Sequence, residues 1–204
     1  MRNKNIALSS LPKQTSLLKK ILSKNNVFTK TLKLLNKINL PNWYIGGGAI
    51  PQIVWNHYHG LDLNHGILDF DIVYFDKTNF SKRAEQKREK EIRNKFPNCP
   101  VKLDVVNEAR THLWYEQDFG KKIKPYTCTE EAIYSFRTTA SAVGITLNQN
   151  NKLEIFAPHG LTDLFGLVVR ANKIQITKAV YEKKCRRWKK AWPKLTIIPW
   201  EYQR

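Results

Sequence analysis

The spacing of apolar residues along the chain predicts alternating strands and helices. In residues 68–75, apolar, aromatic and β-branched side chains alternate with two aspartates, which is the period of a strand. A second alternating run, residues 101–106, predicts another strand. The strongly charged segment between them, residues 80–96, predicts a surface helix that connects the two strands.

The rest of the apolar pattern predicts further elements on either side of these strands. A capping-box spacing, Thr127 to Glu130, marks the start of one helix. The further helices are predicted over residues 17–40 (one or two amphipathic helices), 49–57, 127–136, 161–169 and 177–192. The further strands are predicted over residues 43–45 and, as a β-hairpin, over residues 143–147 and 153–156. The sequence therefore predicts an α/β fold, in which helices cover a mixed twisted sheet.

Three aspartates in the two central strands form the first candidate site. Asp69 and Asp71 are two positions apart, so they lie on one face of their strand, and Asp104 projects from the second strand. Carboxylates so close repel each other unless a cation lies between them, and Mg²⁺ or Mn²⁺ is the ion that we expect. A third carboxylate suits two-metal phosphoryl transfer, and Asp104 is also the candidate general base. The alternatives are a solvated edge-strand face for the pair and a surface aspartate beside Lys102 for Asp104.

A glycine run, Gly46-Gly47-Gly48, lies between the short predicted strand and the helix over residues 49–57. A strand, a glycine turn and a helix in this order bring backbone N–H groups and a helix N-terminus towards a phosphate. We therefore predict that these three glycines bind the nucleotide.

Composition limits the class of protein. The chain has 204 residues and 42% hydrophobic residues, enough for one domain with its own core. No apolar run approaches the length of a membrane span, so we expect no membrane association. The three cysteines are widely spaced and odd in number, which favours the reducing cytoplasm.

The net charge of +18 is concentrated at the two ends of the chain. Residues 1–61 hold nine Lys or Arg and no acidic residue, whereas residues 170–204 hold eleven basic and two acidic residues. Such basic flanks would steer a polyanion towards an acidic, metal-filled cleft, and RNA is the partner that we predict. Trp188 and Trp192 could stack on unpaired bases, or could face the core instead. The predicted nucleic-acid-binding residues are Lys183, Lys184, Arg186, Arg187, Lys189 and Lys190.

Several blocks in one order resemble a known family over about residues 40–200. The blocks are Gly48 to Ile50 with Val54-Trp55, Asp71 to Asp76, Asn107 to Trp114, Ala142 to Ile145, Ala157 to Phe165, Arg187-Trp188 and Trp192 to Leu195. They are similar to the small bacterial nucleotidyltransferase family 6, within the superfamily of DNA polymerase beta and the CCA-adding enzymes. This resemblance implies a polymerase-beta-like core with flanking helices, and aspartates that hold the metal.

One departure from the family pattern follows the glycine turn. The family usually continues into Arg-Asn, where this chain has Pro51-Gln52. An arginine there would contact phosphate or stabilise the acidic cluster, so another cation, Arg110 or Lys102, is expected to replace it. We further predict that Arg110 holds the triphosphate and that His112 positions the acceptor or a phosphate, with a purely structural His112 as the alternative.

Together these features predict a metal-dependent nucleotidyltransferase that moves NMP from an NTP to an acceptor hydroxyl on tRNA-like RNA and releases pyrophosphate. The alternatives are a protein or small-molecule acceptor, and a non-enzymatic RNA-binding protein on a degenerate scaffold. We expect a basic helical extension over residues 1–40, followed by a catalytic domain over residues 41–204 with a basic C-terminal helix.

Overall fold

A mixed five-stranded sheet lies at the centre of the computed structural model, which describes residues 2–38 and 40–202. Its strands are β1 (Tyr44–Gly46), β2 (Asp69–Tyr74), β3 (Lys102–Asn107), β4 (Gly144–Leu147) and β5 (Leu153–Phe156). Their spatial order is β3-β2-β1-β4-β5. The β2–β3 pair is parallel and the other three pairs are antiparallel. A separate two-stranded parallel sheet joins β6 (Val168–Val169) to β7 (Thr196–Ile197).

Nine α-helices and one 3₁₀ helix surround these sheets within the described ranges. The α-helices are α1 (Arg2–Ala7), α2 (Leu11–Leu22), α3 (Asn26–Ile38), α4 (Ala49–His59), α5 (Lys82–Lys95), α6 (Tyr115–Phe119), α7 (Thr129–Tyr134), α8 (Thr162–Phe165) and α9 (Lys178–Ala191). The 3₁₀ helix is Glu108–Leu113. The amphipathic pattern over residues 17–40 thus corresponds to two helices, of which the first begins earlier, at Leu11. Position 39 of that prediction lies outside the described residues.

The apolar face of β2 packs against the N-terminal helices. Phe70, Ile72 and Tyr74 are buried on this face, and the ring of Phe70 meets that of Phe28 on α3 edge to face at 5.7 Å. Side chains of α2 and α3 belong to the same hydrophobic cluster as the sheet. This packing fixes the side of the sheet on which the aspartates of β2 must project, because side chains alternate along a strand.

Two local predictions were wrong in detail. The predicted helix over residues 161–169 ends at Phe165, because Leu167 has a left-handed backbone (φ 56°) and the β-branched Val168 and Val169 form β6. The predicted capping box before α7 does not form. Glu131, one position beyond the box, accepts hydrogen bonds from Thr127 N and Oγ1, at 2.7 and 2.9 Å.

The connecting helix and the hairpin were predicted closely. The helix α5 lies between the two aspartate strands, and Ser81 caps it by accepting a hydrogen bond from Ala84 N at 3.1 Å. The β4–β5 hairpin turns around Asn148, whose side chain accepts a hydrogen bond from Lys152 N at 3.0 Å. Across residues 2–38 and 40–202, no helix combines the length and the apolar character that crossing a bilayer requires.

Candidate active site

The carboxylates of Asp69, Asp71 and Asp104 converge at one end of the sheet. Asp69 and Asp71 share the face of β2 opposite Phe70, and in the parallel register Asp71 lies directly beside Asp104 on β3. One oxygen from each of the three carboxylates lies within 4.8 Å of the others. The strand period and the parallel register therefore assemble the three acids as the sequence pattern predicted.

The glycine turn closes against this acidic cluster. Gly47 has a left-handed backbone (φ 68°), and a Cβ added to it would lie 2.1 Å from Asp71 Oδ2. A Cβ on Gly46 would lie 2.9 Å from the ring of Phe136, and one on Gly48 would lie 2.8 Å from Gln52 Nε2. Gly47 and Gly48 line a cleft of about 780 Å³ that also contains the three aspartates. Position 47 thus needs glycine, because its backbone is left-handed and Asp71 lies so close.

The charge of the cluster is only partly balanced by nearby cations. Desolvation, followed by the adjacent charge of Asp69, raises the pKa of Asp71 to about 6. Lys184 opposes this shift. Asp104 instead pairs with Lys102, whose Nζ lies 2.6 Å from Asp104 Oδ1. Lys102 is therefore one cation that the structure brings to the acidic cluster, as the sequence suggested.

The C-terminal helix α9 supplies a cationic wall to the cleft through Lys183, Lys184 and Arg187. The Lys184 ammonium lies 4.7 Å from the centroid of the Trp188 ring. Desolvation, together with the positive charges of Arg137 and Arg187, lowers the pKa of Lys184 to about 8, although Asp71 and Asp69 act in the opposite direction. Arg137 also lines the cleft, and its guanidinium lies 4.1 Å from the centroid of the Phe119 ring.

A cluster of three tryptophans fixes α9 against α4. The rings of Trp188 and Trp192 meet that of Trp55 at centroid distances of 5.0 and 5.5 Å, and all three side chains are buried. Trp192 Nε1 donates a hydrogen bond to Asn56 Oδ1 at 2.6 Å. Trp188 and Trp192 therefore face the core and are not available to stack on bases. Their packing places the cations of α9 next to the glycine turn.

Several buried polar groups lie in or beside the cleft. Glu108, at the start of the 3₁₀ helix, is 5% exposed, and its Oε2 accepts a hydrogen bond from Thr111 Oγ1 at 2.7 Å. Desolvation raises the pKa of Glu108 to about 7. Close to it, the Tyr126 hydroxyl lies 2.7 Å from Ser135 Oγ, and Gln175 Nε2 donates to both hydroxyls.

Arg110 and His112 lie outside the cleft. The Arg110 guanidinium is buried in an ion pair with Glu85 at 2.7 Å, and its Nε donates to Phe80 O at 3.1 Å. The His112 ring packs against that of Phe80 at a centroid distance of 5.9 Å, and its Nδ1 has no hydrogen-bond partner among the described residues. We therefore leave both residues out of the proposed nucleotide site, since their side chains are committed elsewhere.

The six basic residues predicted on the C-terminal helix separate into two groups. Lys183, Lys184 and Arg187 face the cleft, as described above. Arg186, Lys189 and Lys190 line a different groove, between α9 and the chain from Ile197 to Glu201. Lys189 Nζ donates hydrogen bonds to Pro193 O and Leu195 O, so it fixes the end of the helix.

The sequence did not single out several residues of the cleft, among them Glu108, Arg137 and Gln175. Glu108 lies in the block Asn107 to Trp114, directly after β3, so its place beside the aspartate strands could have been inferred. Arg137 and Gln175 lie outside regular helices and strands, and no local pattern connects them to the aspartates.

The donor set fits a divalent cation. Three carboxylates offer oxygen ligands, which Mg²⁺ and Mn²⁺ prefer, and Asp71 is destabilised in its charged form, so a cation would relieve the repulsion. Asp69, Asp71 and Asp104 are the residues that would hold it.

The fold and the acidic cleft are those of a nucleotidyl-transfer domain. A family model described as nucleotidyltransferase matches residues 33–197, and the chain belongs to this family. The resemblance seen in the sequence blocks is thereby confirmed. No curated protein matches the chain.

A solved structure supports the fold. The chain is similar to an NMR structure described as revealing a CCA-adding enzyme head domain, with a TM-score of 0.74 and 21% identity. The match covers 89% of this chain and 95% of that chain. The predicted fold, a mixed α/β nucleotidyltransferase core with flanking helices, is therefore confirmed.

Proposed function

We propose that this protein transfers NMP from an NTP to a hydroxyl of RNA, with release of pyrophosphate. The observation that carries the proposal is the convergence of Asp69, Asp71 and Asp104 within 4.8 Å, in a cleft that also holds a glycine turn and a wall of cations. An acidic cluster beside cations suits a triphosphate, because the metal-binding carboxylates and the phosphate-binding side chains must lie side by side.

In the reaction, the acceptor hydroxyl oxygen forms a bond to the α-phosphorus of the NTP. The bond between that phosphorus and the oxygen bridging to the β-phosphorus breaks, and pyrophosphate leaves with the electron pair. The Asp104 carboxylate receives the hydroxyl proton. Lys102 holds this carboxylate in place, because its Nζ lies 2.6 Å from Asp104 Oδ1. Divalent ions bound by the three aspartates would polarise the phosphates and neutralise the developing charge.

Cations from two parts of the chain replace the arginine that the family usually carries after the glycine turn. Lys184 and Arg187 on α9, together with Arg137, face the aspartates across the cleft. They would bind the β- and γ-phosphates and stabilise the leaving pyrophosphate. This arrangement supports an active enzyme rather than a degenerate scaffold, although the chain has Pro51 and Gln52 after the turn.

Two observations favour RNA as the acceptor. Basic residues are concentrated at both ends of the chain, and α9 carries cations on two sides, towards the cleft and towards the groove beside residues 197–201. Such a surface attracts a polyanion. The similar solved structure is described as a CCA-adding enzyme head domain, which suggests an RNA acceptor.

The test is a labelling experiment with the purified protein, each of the four α-labelled NTPs, Mg²⁺ or Mn²⁺, total RNA and a protein lysate. The Asp69→Asn/Asp71→Asn double variant measures dependence on the acidic cluster, and Asp62→Asn is the control, because Asp62 is exposed and lies outside the cleft. We expect aspartate-dependent label in a nuclease-sensitive product. Label in a protease-sensitive product or in a small molecule would replace RNA by that acceptor. No aspartate-dependent label with any NTP would contradict the transferase itself.

A further inference from the structure

The cleft that contains the three aspartates is also lined by aromatic side chains and by buried polar side chains. We propose that these side chains form a nucleobase pocket that holds the base of the NTP within this single chain. The proposal rests on the proposed function, because it assigns the nucleoside half of the same substrate.

Aromatic rings form one wall of the pocket. Trp114, Tyr115 and Phe119 come from one short segment, with ring centroids 4.7 Å apart for Tyr115 and Phe119 and 6.3 Å apart for Trp114 and Phe119. All three line the cleft. The Arg137 guanidinium lies over the Phe119 ring at 4.1 Å. Aromatic faces and guanidinium planes are the surfaces on which nucleobases stack.

Buried polar side chains provide hydrogen-bonding groups beside this wall. Gln175 is 6% exposed and lines the cleft, and its amide and the Tyr126 hydroxyl form a connected set with Ser135. Glu108 is also buried in the cleft, and it lies close enough to Tyr126 for its charge to raise the pKa of the Tyr126 hydroxyl. An amide, hydroxyls and a carboxyl together offer donors and acceptors, which is what reading the edge of a base requires.

The two kinds of lining side chain assign the two halves of the substrate. The triphosphate would bind to the divalent ions on the aspartates, to the glycine turn and to Lys184 and Arg187. The base would bind among the aromatic rings, beside Arg137. A volume of about 780 Å³ is within the range of pockets that enclose small organic ligands.

The NTP base is the occupant that we assign, rather than the terminal base of the RNA acceptor. The proposed base pocket is continuous with the site for the β- and γ-phosphates, because Arg137 belongs to both. Its guanidinium lies over the Phe119 ring, and its positive charge lowers the pKa of Asp71 and of Lys184. A ligand that contacts Arg137 from both sides is one with a base and a triphosphate in the same molecule.

The experiment compares the binding of each NTP with the binding of inorganic tripolyphosphate, by calorimetry in the presence of Mg²⁺. The variants are Phe119→Leu, which keeps the apolar volume but removes the aromatic face, and Gln175→Met, which removes the amide at similar length. Tyr134→Leu is the matched control, because Tyr134 is an exposed aromatic residue outside the cleft. Thermal unfolding of every variant verifies that it is folded.

For the best-bound NTP, we expect Phe119→Leu to weaken binding about tenfold, as the loss of one stacked base does, and to leave tripolyphosphate binding within about twofold. Gln175→Met is expected to reduce the difference in affinity among the four NTPs. Tyr134→Leu is expected to leave the affinity for both ligands unchanged.

Three results would overturn the pocket. They are an equal loss of NTP and tripolyphosphate binding in Phe119→Leu, no loss of either, or a loss confined to an unpaired RNA oligonucleotide, which would give the pocket to the acceptor instead. The outcome is separable from that of the labelling experiment. The wild-type protein could bind an NTP much more tightly than tripolyphosphate, lose this difference in Phe119→Leu, and still transfer no label. That result would support the pocket and contradict only the transferase.

Discussion

A Cβ on Gly47 would lie 2.1 Å from the carboxylate oxygen Oδ2 of Asp71. The glycine turn and the aspartate strand are therefore parts of one structure, although 24 positions separate them in the sequence. Any side chain at position 47 must displace Asp71 from the acidic cluster. The glycine run thus serves the metal-binding geometry directly, in addition to any contact that it makes with phosphate.

Replacing Gly47 by Ala is expected to abolish nucleotidyl transfer and to destabilise the fold. The left-handed backbone alone costs about 1 kcal/mol for a non-glycine residue, and the contact with Asp71 adds to it. The matched control is Gly60→Ala, because Gly60 has a similar φ of 69° with no atom within 4 Å of the added Cβ. We expect Gly60→Ala to lose similar backbone stability in thermal unfolding and to keep its activity. Equal loss of activity in the two variants would mean that the contact with Asp71 does not matter.

Glu108→Gln is expected to stabilise the protein at pH 8 but not at pH 4.5. Desolvation raises the pKa of Glu108 to about 7 in the folded state, against an ordinary value of 4.5. The unfolded chain therefore releases this proton first as the pH rises, and the wild-type protein loses about 3 kcal/mol of stability between pH 4.5 and pH 7. Glutamine is neutral at every pH and can still accept the hydrogen bond from Thr111.

The measurement is the free energy of unfolding in urea at several pH values. Glu116→Gln is the control for the loss of one carboxylate, because Glu116 is exposed on α6. A stabilising effect of Glu108→Gln that is the same at pH 4.5 and at pH 8 would contradict the assigned pKa.

Lys184→Met is expected to weaken Mg²⁺-dependent tripolyphosphate binding about tenfold at pH 7, because one cation of the cleft wall is lost. The pKa of Lys184 is lowered to about 8 by desolvation and by Arg137 and Arg187, against the opposing Asp71 and Asp69. Lys184 is therefore charged below pH 8 and neutral above it, so the difference between wild type and variant should shrink as the pH rises to 9.

Calorimetric titration of both proteins from pH 6.5 to pH 9 measures this difference. Lys190→Met is the control, because Lys190 is an exposed lysine of the same helix that faces the other groove. A loss of binding in Lys190→Met as large as that in Lys184→Met would show that the helix acts only through its overall charge.

The two aspartate strands could be predicted from the sequence because their apolar and acidic residues follow a local period. In β2 the alternation of Phe70 and Ile72 with Asp69 and Asp71 sets which face is buried, and burial of the apolar face then directs the acids into the cleft. The helical crossover between β2 and β3 predicts that the two strands are parallel, and their observed register places Asp104 beside Asp71.

The cations of the cleft could not be predicted in the same way. Arg110 follows the catalytic strand in sequence, but its partner Glu85 lies on α5, and only the three-dimensional packing shows that the two form a buried pair. Arg137 reaches the cleft from a segment without a regular pattern. The direction of Lys184 depends on how the three tryptophans dock α9 onto α4, which is a long-range contact.

In the proposed reaction, Asp69, Asp71 and Asp104 together bind the divalent ion. Electron paramagnetic resonance of free Mn²⁺ measures this directly, in wild type, Asp71→Asn and the exposed control Asp62→Asn, with and without the best-bound NTP. We predict that wild type and Asp62→Asn remove Mn²⁺ from solution, more strongly with the NTP, and that Asp71→Asn binds it at least about tenfold more weakly. Equal Mn²⁺ binding by wild type and Asp71→Asn would contradict the metal site and the proposed chemistry of this cleft.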